Sequence, residues 1–167
     1  MIISLQPKTA LTRCFDLVVL MLLKDMKPLD LILLIDDDET TNYLNHRLLT
    51  KMKVAHRIDI VTNGEEALAY LQKACKTGEG DAANCPDLMF VDIKMPVMDG
   101  FEFLDEYEKA ALEMKKETVV MMLTSSASFY DLERLKKYKE VERHVSKPLT
   151  EPDVRELLRE YFPGHFD

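Results

Sequence analysis

Residues 31–38 read LILLIDDD, and this stretch decides the fold of the chain. Five consecutive apolar residues predict a β-strand that is covered on both faces, as in the interior of a parallel sheet. Three acidic residues follow where the strand should stop. The pattern indicates an α/β fold, in which helices cover both faces of a parallel sheet.

Two further apolar runs end on polar residues in the same way. Residues 88–91, LMFV, lead into Asp92, and residues 119–123, VVMML, lead into Thr124. In open α/β sheets, ligands bind in the crevice outside the carboxyl ends of the strands. The sequence therefore predicts that Asp36, Asp37, Asp92 and Thr124 share one pocket.

A group of carboxylates this close together favours a bound cation. Without one, the charges repel each other and raise the pKa values of the acids. Mg²⁺ prefers hard oxygen ligands and needs only one or two protein carboxylates in addition to phosphate oxygens and water. The alternative is that residues 36–38 only cap the next helix, and Asp38 suits that position. Three successive acids exceed what one cap requires, so we expect a Mg²⁺ site.

Four segments, taken together, resemble the receiver domain of two-component response regulators: LILLIDDDETTNYL, LMFVDIKMPVMDGFEFL, VVMMLTSSAS and HVSKPLTEPDV. They occur in the order and spacing of that family, and the resemblance spans residues 29–162. It implies a flavodoxin-like fold of the receiver type, with a five-stranded parallel sheet and helices on both faces. It also implies a switch operated by phosphorylation of an aspartate.

The resemblance also assigns roles around the phosphorylation site. Asp92 is similar to the phospho-acceptor, and Asp36 and Asp37 to the acidic pair that holds Mg²⁺. Asp92 would itself be a ligand, and the backbone carbonyl of Lys94 would complete the protein ligands. The chain would then catalyse only its own phosphorylation and dephosphorylation, and would otherwise not be an enzyme.

Three further positions match the part of the family pattern that senses the phosphoryl group. Thr124 resembles the hydroxyl residue that moves toward the aspartyl phosphate, and Lys147 resembles the ammonium that pairs with it. The Lys147–Pro148 bond corresponds to one that the family holds in cis. His144 stands where the family usually has an aromatic switch residue. Histidine titrates near neutral pH, which suggests a pH-sensitive switch, but a half-exposed strand residue is an equal alternative.

Length and charge suggest how the signal is passed on. Only 20 residues follow Lys147, and the net charge is -8, which argues against direct nucleic-acid binding. We expect a stand-alone cytoplasmic receiver that does not bind membranes. Its partners would be a histidine kinase or histidine phosphotransfer protein and an unknown protein target. A homodimer through the last two helices and the final strand is a further expectation.

Residues 1–28 form an N-terminal extension to the receiver at 29–162, and residues 163–167 form a tail. The apolar run 17–23 is shorter than the roughly 20 residues of a transmembrane helix. An extra helix that covers an apolar patch is one interpretation. A signal peptide is an alternative. Translation from an upstream start codon is another, since Met26 lies just before the receiver.

Two other functional classes remain open at this level. A Mg²⁺-dependent phosphatase could also use an aspartyl phosphate, but it would need an acid close after the nucleophile, where this chain has Lys94. A pseudo-receiver would bind partners without phosphorylation. Degenerate members of that kind usually lack at least one of the key residues, all of which are present in this chain: Asp36, Asp37, Asp92, Thr124 and Lys147.

Apolar spacing predicts the helices around the sheet. The first, from about Thr40, should bury a stripe of five side chains: Tyr43, Leu44, Leu48, Leu49 and Met52. Others are expected at 65–76, from Phe101, at 131–140 and from Glu151. The odd number of cysteines, Cys14, Cys75 and Cys85, lacks metal-ligand spacing and favours three reduced thiols.

Overall fold

Within the part of the chain that the structure describes, five strands and five helices alternate. The computed structural model describes residues 27–75, 84–111, 116–125 and 128–165. The strands are β1 (Leu29–Ile35), β2 (Ala55–Val61), β3 (Leu88–Asp92), β4 (Val119–Thr124) and β5 (Val141–Ser146). The helices are α1 (Glu39–Met52), α2 (Gly64–Ala74), α3 (Gly100–Ala111), α4 (Phe129–Leu135) and α5 (Glu151–Tyr161).

The strands form one sheet in the order β2-β1-β3-β4-β5, and every neighbouring pair is parallel. The expected five-stranded parallel sheet with helices on both faces is confirmed. The order places the carboxyl ends of β1 and β3 side by side, with that of β4 next to β3. Polar residues that follow these three strands therefore meet at one edge of the sheet.

Residues 31–35 of β1, an interior strand of the sheet, are all apolar because they supply two cores. Leu33 and Ile35 pack on the face that carries α2, α3 and α4. Ile32 and Leu34 pack on the opposite face, against α1 and α5. Successive side chains of a strand point to opposite faces, so a strand covered on both sides needs apolar residues at every position.

The predicted stripe on α1 is wrong in part. Tyr43 and Leu44 are 62% and 42% exposed, whereas Asn42 and Asn45 lie on the buried face together with Leu49. Burial of an amide is unfavourable unless it is hydrogen-bonded. Both amides have backbone partners in the residues around the site, and these contacts determine which face of α1 turns inward.

Two helices end earlier than predicted. Helix α4 stops at Leu135, and the chain then turns so that Tyr138 lies beside the ring of Phe101 and its hydroxyl donates to Asp105. Helix α2 stops at Ala74, and the next residue, Cys75, forms a disulfide with Cys85. The expectation of reduced thiols is therefore wrong for these two cysteines, and Cys14 lies outside the described residues.

None of the helices in the described ranges is long and apolar enough to cross a membrane. The interpretations of residues 1–26 also lie outside the part of the chain that the structure describes.

The disulfide should contribute measurably to stability. It closes a loop with a sequence separation of 10 residues. The loss of chain entropy in the unfolded state then corresponds to about 2–3 kcal/mol. We expect a thiol reductant to lower the free energy of unfolding by this amount in urea titrations. Without reductant, thiol labelling of the unfolded chain should detect two fewer thiols than after reduction. Equal thiol counts would contradict the disulfide.

Candidate functional site

Three carboxylates predicted to share a pocket do so. Asp36 follows β1, Asp92 ends β3, and one oxygen from each of Asp36, Asp37 and Asp92 lies within 4.8 Å of the others. Asp36 and Asp92 are buried, whereas Asp37 is exposed. The cluster is thus anchored inside the sheet edge and open to solvent on the side of Asp37.

The turn between β1 and α1 holds Asp36 in place. Its Oδ1 accepts a hydrogen bond of 2.9 Å from the backbone N–H of Asp38, and its carbonyl accepts one of 2.7 Å from Asn42. Asp38 caps α1 by accepting a hydrogen bond of 2.6 Å from the N–H of Thr41. Hydrogen bonding with the side chain of Thr41, together with this backbone bond, lowers the pKa of Asp38. Only the third acid of the run is therefore used as the helix cap.

Lys147 supplies the positive charge of the pocket. Its Nζ lies 2.8 Å from Oδ2 of Asp36 and 3.0 Å from Oδ2 of Asp92, and its side chain is only 11% exposed. The backbone N–H of Lys147 donates to the carbonyl of Thr124, which holds the residue at the end of β4. The Lys147–Pro148 bond is cis, as the resemblance implied.

One ammonium does not neutralise this cluster. Burial and the neighbouring charge of Asp36 raise the pKa of Asp92, although the contact with Lys147 opposes the shift. Burial lowers the pKa of Lys147, but hydrogen bonds and charge interactions with Asp36 and Asp92 outweigh it and raise the value. The pocket therefore keeps Lys147 charged and leaves the carboxylates with an excess of negative charge.

The residues present fit a hard divalent cation. Oδ2 of Asp36 is buried, and the ammonium of Lys147 contacts it at 2.8 Å. Mg²⁺ prefers hard oxygen ligands, and the buried carboxylates of Asp36 and Asp92 beside the exposed one of Asp37 supply them.

The loop after β3 is folded tightly against Asp92. The N–H of Gly100 donates to the carbonyl of Ile93, and the N–H of Gly64 donates to that of Met98. A Cβ atom on Gly100 would lie 2.3 Å from the carbonyl oxygen of Asp92, which is closer than real Cβ atoms come to any neighbour. Glycine at position 100 therefore allows the loop to pass directly beside the acidic site.

The other predicted site residues are placed as follows. Thr124 is buried at the end of β4, where its register partner is Ser146. The side chain of Lys94 is exposed. His144 is exposed on β5, opposite Met122 in the register, which agrees with the strand-residue alternative. Its role as a switch stays a prediction.

Asn42 and Asn45 are the residues at the site that the sequence reasoning missed. A polar residue on a helix normally indicates the exposed face, so apolar periodicity could not find them. The available signal was the spacing, because residues three apart lie on the same face of a helix.

The sequence matches the family model "Response regulator receiver domain" over residues 32–159. The chain belongs to the response regulator receiver domain family. The solved structures agree with this assignment. A two-component response regulator from Cytophaga hutchinsonii superposes on the receiver with a TM-score of 0.72 and 29% identity. That alignment covers 82% of this chain and 99% of the other.

The curated relatives that this chain matches differ in how much of their length the match covers. It is 29% identical to the probable methanogenesis regulatory protein FilR2 of Methanothrix harundinacea, over 80% of this chain and 84% of FilR2. It is 30% identical to the response regulator Rcp1 of Synechocystis, over 60% of this chain and 66% of Rcp1. It matches only 7% of the hybrid signal transduction histidine kinase L of Dictyostelium discoideum, with 28% identity.

The raised pKa of Asp92 predicts that the metal-free receiver becomes more stable when the negative charge of the Asp92 carboxylate is removed. A group whose pKa is higher in the folded state favours folding when protonated, and this contribution is lost as the pH rises through the folded-state pKa. We therefore expect Asp92→Asn in EDTA to raise the Tm by a few degrees at about pH 7, and by progressively less toward about pH 4.

The matched control is Asp105→Asn on the exposed side of α3, which should show no such pH-dependent gain. Thermal unfolding of the three proteins across the pH range measures the effect. If Asp92→Asn raises the Tm by the same amount at every pH, the gain in Tm does not come from removing the charge of Asp92.

Proposed function

We propose that the receiver accepts a phosphoryl group on Asp92 in a Mg²⁺-dependent reaction and signals by contact with other proteins. The observation that carries this proposal is the contact of Lys147 with the buried carboxylates of both Asp36 and Asp92, at 2.8 and 3.0 Å. This ammonium is positioned to meet an anion that arrives at Asp92.

The closeness of three carboxylate oxygens supports the assignment of Asp36, Asp37 and Asp92, and the match to the receiver family supports that of Lys94. Asp36, Asp37 and Asp92 would hold Mg²⁺, and the backbone carbonyl of Lys94 would be a further ligand. When bound, Mg²⁺ would neutralise the charge that otherwise keeps an anionic phosphoryl donor away from an anionic nucleophile. The exposed position of Asp37 supports this assignment, because it leaves the metal position open to phosphate oxygens.

Asp92 would form the new bond, and the other residues of the site would position the reacting groups and stabilise their charge. A carboxylate oxygen of Asp92 would form the new P–O bond while the bond from phosphorus to the donor breaks. Lys147 would support the negative charge on the phosphoryl oxygens as it is transferred. In phosphoryl transfer, most of the rate enhancement comes from such positioning and electrostatic stabilisation.

The added charge would then operate a switch. Phosphorylation adds nearly two negative charges at neutral pH and new hydrogen-bond acceptors. Lys147 would exchange its contact with the Asp92 carboxylate for one with the phosphoryl group. The buried hydroxyl of Thr124, at the end of the adjacent strand, would donate to the same group, and the exposed His144 on β5 would report the change to the surface.

Receiver domains interact with histidine kinases or histidine phosphotransfer proteins. We propose a protein of this type as the phosphoryl donor. For the downstream target or a second copy of the chain, we propose the surface formed by α4, β5 and α5. A groove of about 330 Å³ lies between α4 and β5, and its lining includes Leu132, Val141 and His144. A protein bound in this groove would respond to movements at the end of β4.

The phosphorylation proposal is tested by intact-mass measurement after incubation with acetyl phosphate and Mg²⁺. Wild type and Asp105→Asn should gain the mass of one phosphoryl group, and hydroxylamine should remove it because an acyl phosphate is formed. Asp92→Asn should gain nothing, and EDTA should prevent the reaction in every variant.

Lys147→Met should react at least about tenfold more slowly, since it removes one stabilising charge from the transition state. A folded wild type that binds Mg²⁺ but gains no phosphoryl group would contradict the proposal. That result would favour a receiver that binds partners without phosphorylation.

A further inference from the structure

Helix α1 contacts both halves of the charged pocket through two buried amides. The side chain of Asn42 donates to the carbonyl oxygen of Asp36 at 2.7 Å. The side-chain oxygen of Asn45 accepts from the backbone N–H of Leu149 at 2.9 Å, across 104 positions of sequence. Asn42 and Asn45 are 6% and 1% exposed, so water does not compete for either contact.

The contact with Leu149 fixes the segment that carries Lys147. Proline has no backbone N–H, so after Lys147 the next available donor is that of Leu149. On one side the N–H of Lys147 bonds to Thr124 of β4, and on the other side Leu149 bonds to Asn45. The Lys147–Pro148 step is therefore held between the sheet and α1.

The contact with Asp36 fixes the other half of the pocket. Asn42 and Asn45 are three residues apart, so they project from the same face of α1. One helix face thus holds the backbone of Asp36 and the backbone beside Lys147, whose side chains meet at 2.8 Å. Two polar residues on the buried face of a helix are unfavourable for packing alone. Each makes one of these contacts at the site, and its other amide atom, Oδ1 of Asn42 and Nδ2 of Asn45, has no hydrogen-bond partner among the described residues.

We propose that Asn42 and Asn45 are positioning residues that set the metal carboxylate of Asp36 and the ammonium of Lys147 for phosphoryl transfer. This inference rests on the proposed function, since it assigns the amides to the same reaction. Asn42 acts through Asp36 and therefore on the metal. Asn45 acts through the Leu149 segment and therefore on Lys147. Neither side chain needs to touch the phosphoryl group.

The test replaces each amide with leucine, which has the same branching but cannot form the hydrogen bond. Asn42→Leu should weaken Mg²⁺ binding about tenfold, which is usual when a group that orients a metal ligand is lost. Asn45→Leu should bind Mg²⁺ at least as tightly as wild type. At saturating Mg²⁺, however, it should accept phosphate from acetyl phosphate about tenfold more slowly or worse, because Lys147 is misplaced.

A control from the same helix separates positioning from stability. Leu49 is fully buried on α1 but contacts the apolar core. Leu49→Val should lower the Tm but react within about twofold of wild type. Leu49→Ala takes its place if a greater loss of Tm is needed to equal that of Asn45→Leu. If the Asn45 variant and this control are slowed equally, or if Asn42→Leu binds Mg²⁺ normally, the proposal is overturned. Asn45→Ser serves if the leucine variant does not fold.

A second measurement uses Mg²⁺ alone and does not require phosphorylation. Lys147→Met removes a positive charge beside the carboxylates, so it should tighten Mg²⁺ binding. If Asn45 positions this charge, the gain should be smaller when Lys147→Met is introduced into the Asn45→Leu background. An equal gain in both backgrounds would overturn the role of Asn45. If the wild type binds Mg²⁺ but is never phosphorylated, the proposed function is overturned. The comparison of Mg²⁺ binding would still decide whether Asn45 positions Lys147.

Discussion

The mutual repulsion of three carboxylates is the constraint on which the rest of the structure depends. Asp36, Asp37 and Asp92 are held within 4.8 Å of one another, and a single ammonium, Lys147, contacts the two that are buried. Like charges in a poorly hydrated site oppose each other's ionisation, and the pKa of Asp92 is raised by burial and, to a smaller extent, by the charge of Asp36. A domain of marginal stability keeps such a cluster only if the surrounding structure leaves it no way to relax.

Three features prevent that relaxation. The central strands are apolar on both faces, so the carboxyl ends of β1 and β3 are fixed by two separate cores. Gly100 lets the loop after β3 press against the backbone of Asp92, where any side chain would collide. The two amides of α1 tie the backbone of Asp36 and the segment beside Lys147 to one rigid helix. The pocket is therefore pre-organised before any ligand arrives, which is the property that electrostatic catalysis requires.

The sheet and the acidic site could be predicted from the sequence because both depend on local patterns. An uninterrupted apolar run that ends in an acid specifies a buried strand and the residue at its carboxyl end, as for Asp36 and Asp92. The inward face of α1 was predicted wrongly, because Tyr43 and Leu44 fit apolar periodicity, whereas Asn42 and Asn45 are buried for partners that are set by tertiary structure. The pairing of Cys75 with Cys85 likewise depends on where α2 and β3 bring the chain, which spacing alone does not give.

The most direct test of the charge-cluster account is the effect of Mg²⁺ on the Tm of the receiver. A ligand that binds only the folded state stabilises it in proportion to the logarithm of its concentration above the Kd. We predict that the Tm of wild type rises steadily with Mg²⁺ at constant ionic strength. It should rise far less for Asp37→Asn, which removes the solvent-exposed carboxylate of the cluster. A Tm that does not respond to Mg²⁺, or that responds equally in both proteins, would contradict the account.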